Sequence, residues 1–133
     1  MPGEGRERTV IDFENARFLK LRAVESKSFA ATLAPMFVQG EYIVQAFQTV
    51  RDGVVFTNKR IFSINVQGLV GKKKDFTILP YKRIQAFSIE TAGVFDLDSE
   101  LQLWFSGLGR VYFEFSSSAN VTEICRLISE NML

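Results

Sequence analysis

Histidine is absent from this chain, and cysteine occurs once, at position 125. The first absence removes the most frequent general base and the most frequent metal ligand. The second excludes an internal disulfide framework and points to a reducing compartment, so a cytoplasmic protein is expected. A zinc site would have to be built from carboxylates, so neither a metal nor another cofactor is expected. An excess of either charge is also missing: sixteen Lys and Arg stand against fifteen Asp and Glu. That balance leaves no electrostatic case for nucleic acid. Long hydrophobic runs are missing too. The longest, Phe29 to Val38, falls well short of the ~20 residues a membrane-spanning helix needs. The amino terminus, MPGEGRERT, has charge but no apolar core behind it, which does not fit a secretory signal.

What is present is apolar and aromatic. Hydrophobic residues make up 47% of the 133 positions, and 13 of them are Phe. This composition fits one domain with a buried core rather than a disordered chain. Residues 1–10 read as a flexible tail and residues 11–133 as the domain. Asp12 can cap a short helix through Arg17, whereas Arg17 to Arg22 alternates as a strand does; the expectation is a short helix followed by an extended segment. Ser26 to Val38 reads as a helix, with Phe29, Leu33, Met36 and Phe37 on one stripe. Pro35 should kink or tighten its last turn, and Gly40 supplies a left-handed end. Residues 11–40 are therefore expected to be an amino-terminal helical segment.

From Glu41 to Ser116 the pattern is strands and tight turns. Seven strands are expected: 41–50, 54–57, 60–66, 74–79, 83–91, 100–105 and 110–116. Asp52-Gly53 reads as a hairpin signal through positive φ at Gly, and Asn58 suits a left-handed turn in Thr57 to Arg60. The carboxy-terminal stretch 119–132 reads as a helix. Asn120 is its N-cap, Glu123 can complete a capping box, and Val121, Ile124, Cys125 and Ile128 form its buried stripe. Such a helix can plug an open barrel end.

The segments RDGVVFTNKR, QGLVGKKKDFTILPYKRI, FSIETAG and FDLDSELQLWFSG, preceded by APMF, resemble the bacterial pleckstrin-homology-like family, formerly a domain of unknown function. The resemblance runs from about Gly40 to the carboxy terminus. It implies a mainly β (α+β) fold: a split barrel of seven antiparallel strands, a carboxy-terminal capping helix and an additional amino-terminal helix. It implies assembly into ring-shaped homo-oligomers and brings no catalytic residues. In eukaryotic relatives, basic residues in and beside a long first hairpin loop grip phosphates. Here that loop, Val50 to Gly53, is short and sets Asp52 beside its one base, Arg51.

The remaining constellations are weighed against ordinary structural roles. Lys72, Lys73 and Lys74, with Lys82 and Arg83 nearby, are candidates for contact with an anionic membrane surface or an acidic partner. The competing reading is a solvated turn, and Lys59-Arg60 reads the same way. Asp96, Asp98 and Glu100 alternate and could present three carboxylates to a cation, but they lack the glycine and distal glutamate of a calcium loop. No nucleophile or oxyanion site accompanies them, so no enzyme is expected. GRVYFEF, from Gly109, loosely resembles an RNA-binding strand, but Val111, Phe113 and Phe115 share one face and read as core.

Trp104 is more informative. Leu101, Leu103 and Phe105 share one strand face, and Trp104 lies on the other with Gln102, Glu100 and Asp98. In the first strand Ile43 and Phe47 share a face, and Tyr42, Val44 and Ala46 share the opposite one. Apolar residues on both faces require cover on both, from a subunit interface or from the amino-terminal helix. Tyr42, Val44 and Trp104 are the candidate interface residues. The functional expectation is a non-catalytic module that forms a ring and binds a protein partner; the alternative is binding to an anionic membrane surface through Lys72 to Lys74.

Overall fold

The structure is a computed structural model and describes residues 15–67, 73–95, 97–116 and 118–133. The expected tail, the Asp12 helix start, the 68–72 turn with Lys72, and Asp96 lie outside the described residues. Among the described residues eight strands are present: β1 Arg17–Val24, β2 Ile43–Gln48, β3 Asp52–Thr57, β4 Arg60–Gln67, β5 Lys73–Pro80, β6 Ile84–Glu90, β7 Ser99–Phe105 and β8 Gly109–Phe115. Two α-helices, α1 Lys27–Leu33 and α2 Val121–Met132, complete the set.

The strands form one sheet in the order β5-β4-β3-β2-β1-β8-β7-β6. The mainly β architecture with a carboxy-terminal helix is the one expected, with one strand more. The addition is β1, which falls on the extended segment expected after a short helix, inside the stretch 11–40 summarised as helical. It pairs antiparallel with β2 and parallel with β8, so it joins the two halves of the sheet. The alternation of Arg17 to Arg22 was its signal, interrupted by a register shift between Phe18 and Leu21 and by positive φ at Lys20.

The sheet curls on itself. Phe47 of β2 reaches Phe115 of β8 at 4.6 Å, and Phe56 of β3 reaches Phe113 at 6.0 Å. Rings from strands that are not neighbours in the sheet thus converge on its concave side, where Leu79 of edge strand β5 and Ile84 of edge strand β6 share one core. Its core also holds Phe18, Leu21, Val54, Ile61, Leu79, Tyr81, Leu101, Leu103 and Val111. Helix α2 closes it with Ile124, Leu127 and Ile128. Each buried aromatic ring removes a large apolar area from water on folding.

A second core lies on the convex side of β2 to β5. Leu33, Phe29, Met36 and Phe37, from α1 and the segment after it, pack on Ala46, Val55, Phe62 and Ile64. Pro35 falls in a 3-10 turn, Ala34–Met36, so it tightens the helix end as its chemistry requires. Gly40 takes a φ of 81° in the turn that follows.

Three local readings change. Gly53 is paired strand backbone opposite Gln48 and is not among the positive-φ residues. The turn is built by Thr49, whose Oγ1 accepts from the Asp52 amide at 2.9 Å and the Arg51 amide at 3.3 Å. Gly53 is needed for another reason: a Cβ there would lie 2.5 Å from Phe29 Cζ. The second turn uses the same device, with Thr57 Oγ1 accepting from the Lys59 and Arg60 amides, each at 3.0 Å. Asn58 has ordinary φ and instead staples the turn to the chain before β2, accepting from the Tyr42 amide at 2.8 Å and donating to the Gly40 carbonyl at 3.0 Å.

Arg60 is not a solvated turn residue. Its guanidinium meets the fully buried Glu41 carboxylate in a fork, Nε to Oε2 at 3.0 Å and Nη2 to Oε1 at 2.9 Å. Nη2 also donates to the Met36 carbonyl at 2.7 Å, and the guanidinium carbon lies 4.7 Å from the Phe62 ring centroid. Burial pushes the Glu41 pKa up. The hydrogen bonds from Arg60, Thr57 and the Val38 amide, with the guanidinium charge, outweigh burial and hold it below the usual carboxylate range.

Asn120 caps α2 by accepting from the Glu123 amide at 3.1 Å. The return bond of a capping box is replaced. Glu123 Oε1 accepts from Gln45 Nε2 at 2.7 Å, and Gln45 Nε2 also donates to the Asn120 carbonyl at 2.9 Å. The helix is thereby tied to β2 rather than to its own first turn.

Candidate functional site

The interaction surfaces follow from how each half of the sheet is covered. The convex face of β2 to β5 lies under α1. In β7, Leu101, Leu103 and Phe105 enter the core, while Glu100, Gln102 and Trp104 face outward. This is the face the alternation assigned to Trp104. The indole remains 37% exposed. Across the ladder it stands opposite Arg110 of β8 and Ala86 of β6.

Around it lies a set of cations and aromatics. The Arg17 guanidinium sits 5.3 Å from the Tyr112 ring centroid and that of Arg110 sits 6.0 Å away. Arg110 Nη1 donates to Gln102 Oε1 at 3.0 Å. Partial burial pushes the Tyr112 pKa up, and a hydrogen bond with Glu100 adds to the rise. The outer face of β7 and β8 therefore carries an exposed indole with charged and hydrogen-bonding side chains around it.

Tyr42 and Val44 are not beside Trp104. The register of β2 against β3 shifts between Ile43 and Gln45. The shift puts Val44 against the interior core with Phe47, and Ile43 against the outer core with Ala46. The expected face assignment of β2 is therefore reversed at its start, as a bulge requires. Cover on both faces comes from within the chain. Tyr42 stays 61% exposed, at the strand entry.

The basic residues do not form one patch. Lys73 and Lys74 are exposed at the start of β5, whereas Lys82 and Arg83 lie in the 3-10 turn after its end. At about 3.3 Å per residue the strand keeps the two pairs roughly 20 Å apart. Of the three alternating acids, Asp98 lines a cavity and Glu100 bonds Tyr112 on the outer face. Among the described residues no three His, Cys, Asp or Glu are grouped to hold a metal ion. No helix among them is long and apolar enough to cross a membrane.

Two hollows were not apparent from the sequence. One, of about 740 Å³, opens where β1 meets the β2–β3 turn, with Lys20, Arg22, Arg51, Asp52 and Asp98 in its wall. Its cations come with carboxylates, and partial burial pushes the Asp52 pKa up against the pull of Arg51. The other, of about 440 Å³, lies between β6 and α2 and is lined by Ile89, Thr91, Val121, Thr122, Cys125 and Arg126. No local motif marks either one, because each is assembled from elements distant in sequence.

Known proteins resemble this chain in sequence and in fold. The family model described as bacterial PH domain matches residues 12–132. The Bacillus subtilis (strain 168) protein YjqA, uncharacterized, is 42% identical over 117 residues, which span 86% of this chain and 90% of that protein. YozO of the same organism, also uncharacterized, is 31% identical over 110 residues, 83% of this chain and 95% of that protein. A solved structure of a DUF1696 family protein with a pleckstrin-homology domain, from Shewanella loihica PV-4, superposes with a TM-score of 0.73 at 37% identity, covering 86% of this chain and 99% of that one. A pleckstrin homology domain from Shewanella amazonensis SB2B gives 0.60 at 40% identity, covering 83% and 90%. The chain belongs to the bacterial PH domain family.

Proposed function

We propose that this bacterial PH domain is a non-catalytic, cytoplasmic interaction module that assembles with copies of itself into a closed ring and presents a face of the ring to a protein partner. The observation that carries this reading is Trp104, a large aromatic held outward on the uncovered face of β7. Aromatic residues are enriched at interfaces and supply most of their hot spots. A contact between two different surfaces, repeated by rotation, closes into a ring and leaves no sticky surface free. Tyr42 is a second exposed aromatic for such contacts. Val44 is spent on the protein's own core and is not part of the proposed interface.

Light scattering across a concentration series tests the reading. A discrete multimer is expected for the wild type, and Trp104→Ala should shift it towards smaller species while the fold is retained. A monomer at every concentration, or a multimer indifferent to Trp104→Ala, defeats this assignment. Lys82 and Arg83 lie apart from Lys73 and Lys74 and do not extend the lysine turn, and Trp104 favours a protein partner over a membrane surface.

A further inference from the structure

β5 and β6 are the two edges of the sheet, and they are guarded differently. β5 carries Lys73 and Lys74 at its start and Pro80 at its end. Lysine and proline on an edge discourage a further strand. β6, IQAFSIE, has neither. Beside it runs the mostly apolar groove under α2, with room for an aromatic ring and a branched side chain. The loop that leaves β6 displays a matching object. Val94 is 86% exposed and Phe95 is 100% exposed, without cover from their own chain.

We propose that the β6–α2 groove receives the Val94–Phe95 tip of a second copy of this chain, and that the exchange is reciprocal about a two-fold axis. Shape and chemistry set the pairing: Ile89, Val121 and Cys125 offer an apolar slot, and the tip is the apolar element beside it that water now covers. Position sets the symmetry. Phe95 lies four residues beyond Thr91, itself a wall of the groove. A copy whose tip enters this groove therefore brings its own groove within reach of this chain's tip, an isologous contact. Area favours reciprocity as well. One inserted aromatic buries about 150–250 Å², against roughly 800 Å² per partner in a stable complex. Two insertions double that contribution and bring two unguarded β6 edges together, where backbone pairing adds to the contact. The contact does not use the Trp104 face, so it holds or fails separately from the ring.

Cys125 in the groove wall is the chain's one thiol and makes the test direct. Val94→Cys keeps the Phe95 ring, and treated with diamide as the oxidant that takes up the two thiol hydrogens it should give a disulfide-linked dimer on a non-reducing gel, at twice the 15.1 kDa of one chain. The dimer should disappear in Val94→Cys with Cys125→Ala. In Val94→Cys with Trp104→Ala it should persist, so a failed ring leaves the result readable. A monomer with an internal disulfide would show that the tip fills its own groove and would overturn the proposal. No disulfide at all, or a dimer that survives Cys125→Ala, would overturn it equally. Val94 is 86% exposed, so the variants retain the fold, which circular dichroism checks.

Discussion

The two halves of this sheet are made of similar strands but are finished differently. β2 to β5 are packed on both faces, against the interior aromatics on one side and the layer of α1 on the other. β6 to β8 are packed on one face, and their outer face carries Trp104, Tyr112 and charged residues. The doubly covered half behaves as a three-layer structure whose outward side chains are structural. The singly covered half has side chains to spare for other molecules. Position in the sheet therefore decides which aromatics fold the protein and which remain available: Phe62 and Trp104 both point outward, yet only Phe62 is buried.

The largest expected effect tests what holds the outer layer on. Glu41→Gln breaks the fork with Arg60 and leaves a largely buried guanidinium without its counter-charge, at a cost of about 3–5 kcal/mol. Chemical denaturation at neutral pH measures it. The pH dependence follows from the sign of the shift. The folded-state pKa of Glu41 is lowered from 4.5. The pair's stabilisation is therefore complete above that value and is lost as pH falls through the lower, folded pKa. The gap between wild type and Glu41→Gln should narrow below pH 4.5. A gap that stays constant into acid would mean the carboxylate charge contributes nothing and would break the contrast between the halves.

A smaller effect is expected where α1 touches β3. Gly53→Ala places a Cβ against the Phe29 ring, 2.5 Å from Cζ and 2.7 Å from Cε1. The ring is the far end of a side chain and can yield, so the cost is at the low end of overpacking, about 1 kcal/mol. Because the two groups touch, the cost should disappear when Phe29 is already alanine, which a double-mutant cycle reads directly. An equal cost in both backgrounds would place the glycine's role in the backbone and not in the layer contact.

These contacts also explain what could be read from the sequence. The seven strands from 41 onward, the carboxy-terminal helix with Asn120 as its cap, the tightening at Pro35 and the outward side of Trp104 all follow from patterns within a few residues, and they were legible. Gly53 was legible as a constraint but not for its reason, because Phe29 reaches it from another element. Arg60 beside Lys59 looked solvated, since nothing local shows Glu41 folding back across the β3–β4 turn. The bulge in β2 reversed the faces of Ile43 and Val44, and a single inserted residue leaves no trace in an alternating pattern. β1 was half legible: its alternation was visible, but its parallel partner β8 lies some ninety positions away. The candidate surfaces divide the same way. Trp104 came from periodicity, whereas the β6–α2 groove and the Phe95 tip needed the fold.

The smallest expected effect falls on the uncovered face and is the sharpest check on the comparison. Arg110 donates to Gln102 at 3.0 Å and lies 6.0 Å from the Tyr112 ring. In the covered half, Arg60 makes the same kinds of contact to a carboxylate and to Phe62, and its loss should be severe. Arg110 differs in two respects. Its own side is open to water, which replaces the lost hydrogen bond, and Arg17 already sits 5.3 Å from the same ring. Arg110→Ala should therefore change folding stability by no more than about 0.5 kcal/mol, measured by chemical denaturation. It also removes the residue opposite Trp104 in the ladder, so the indole becomes more exposed while the fold is unchanged. A loss of about 2 kcal/mol or more would fall in the range of buried interactions. The outer face of β6 to β8 would then be structural too, and the difference between the halves would be one of degree.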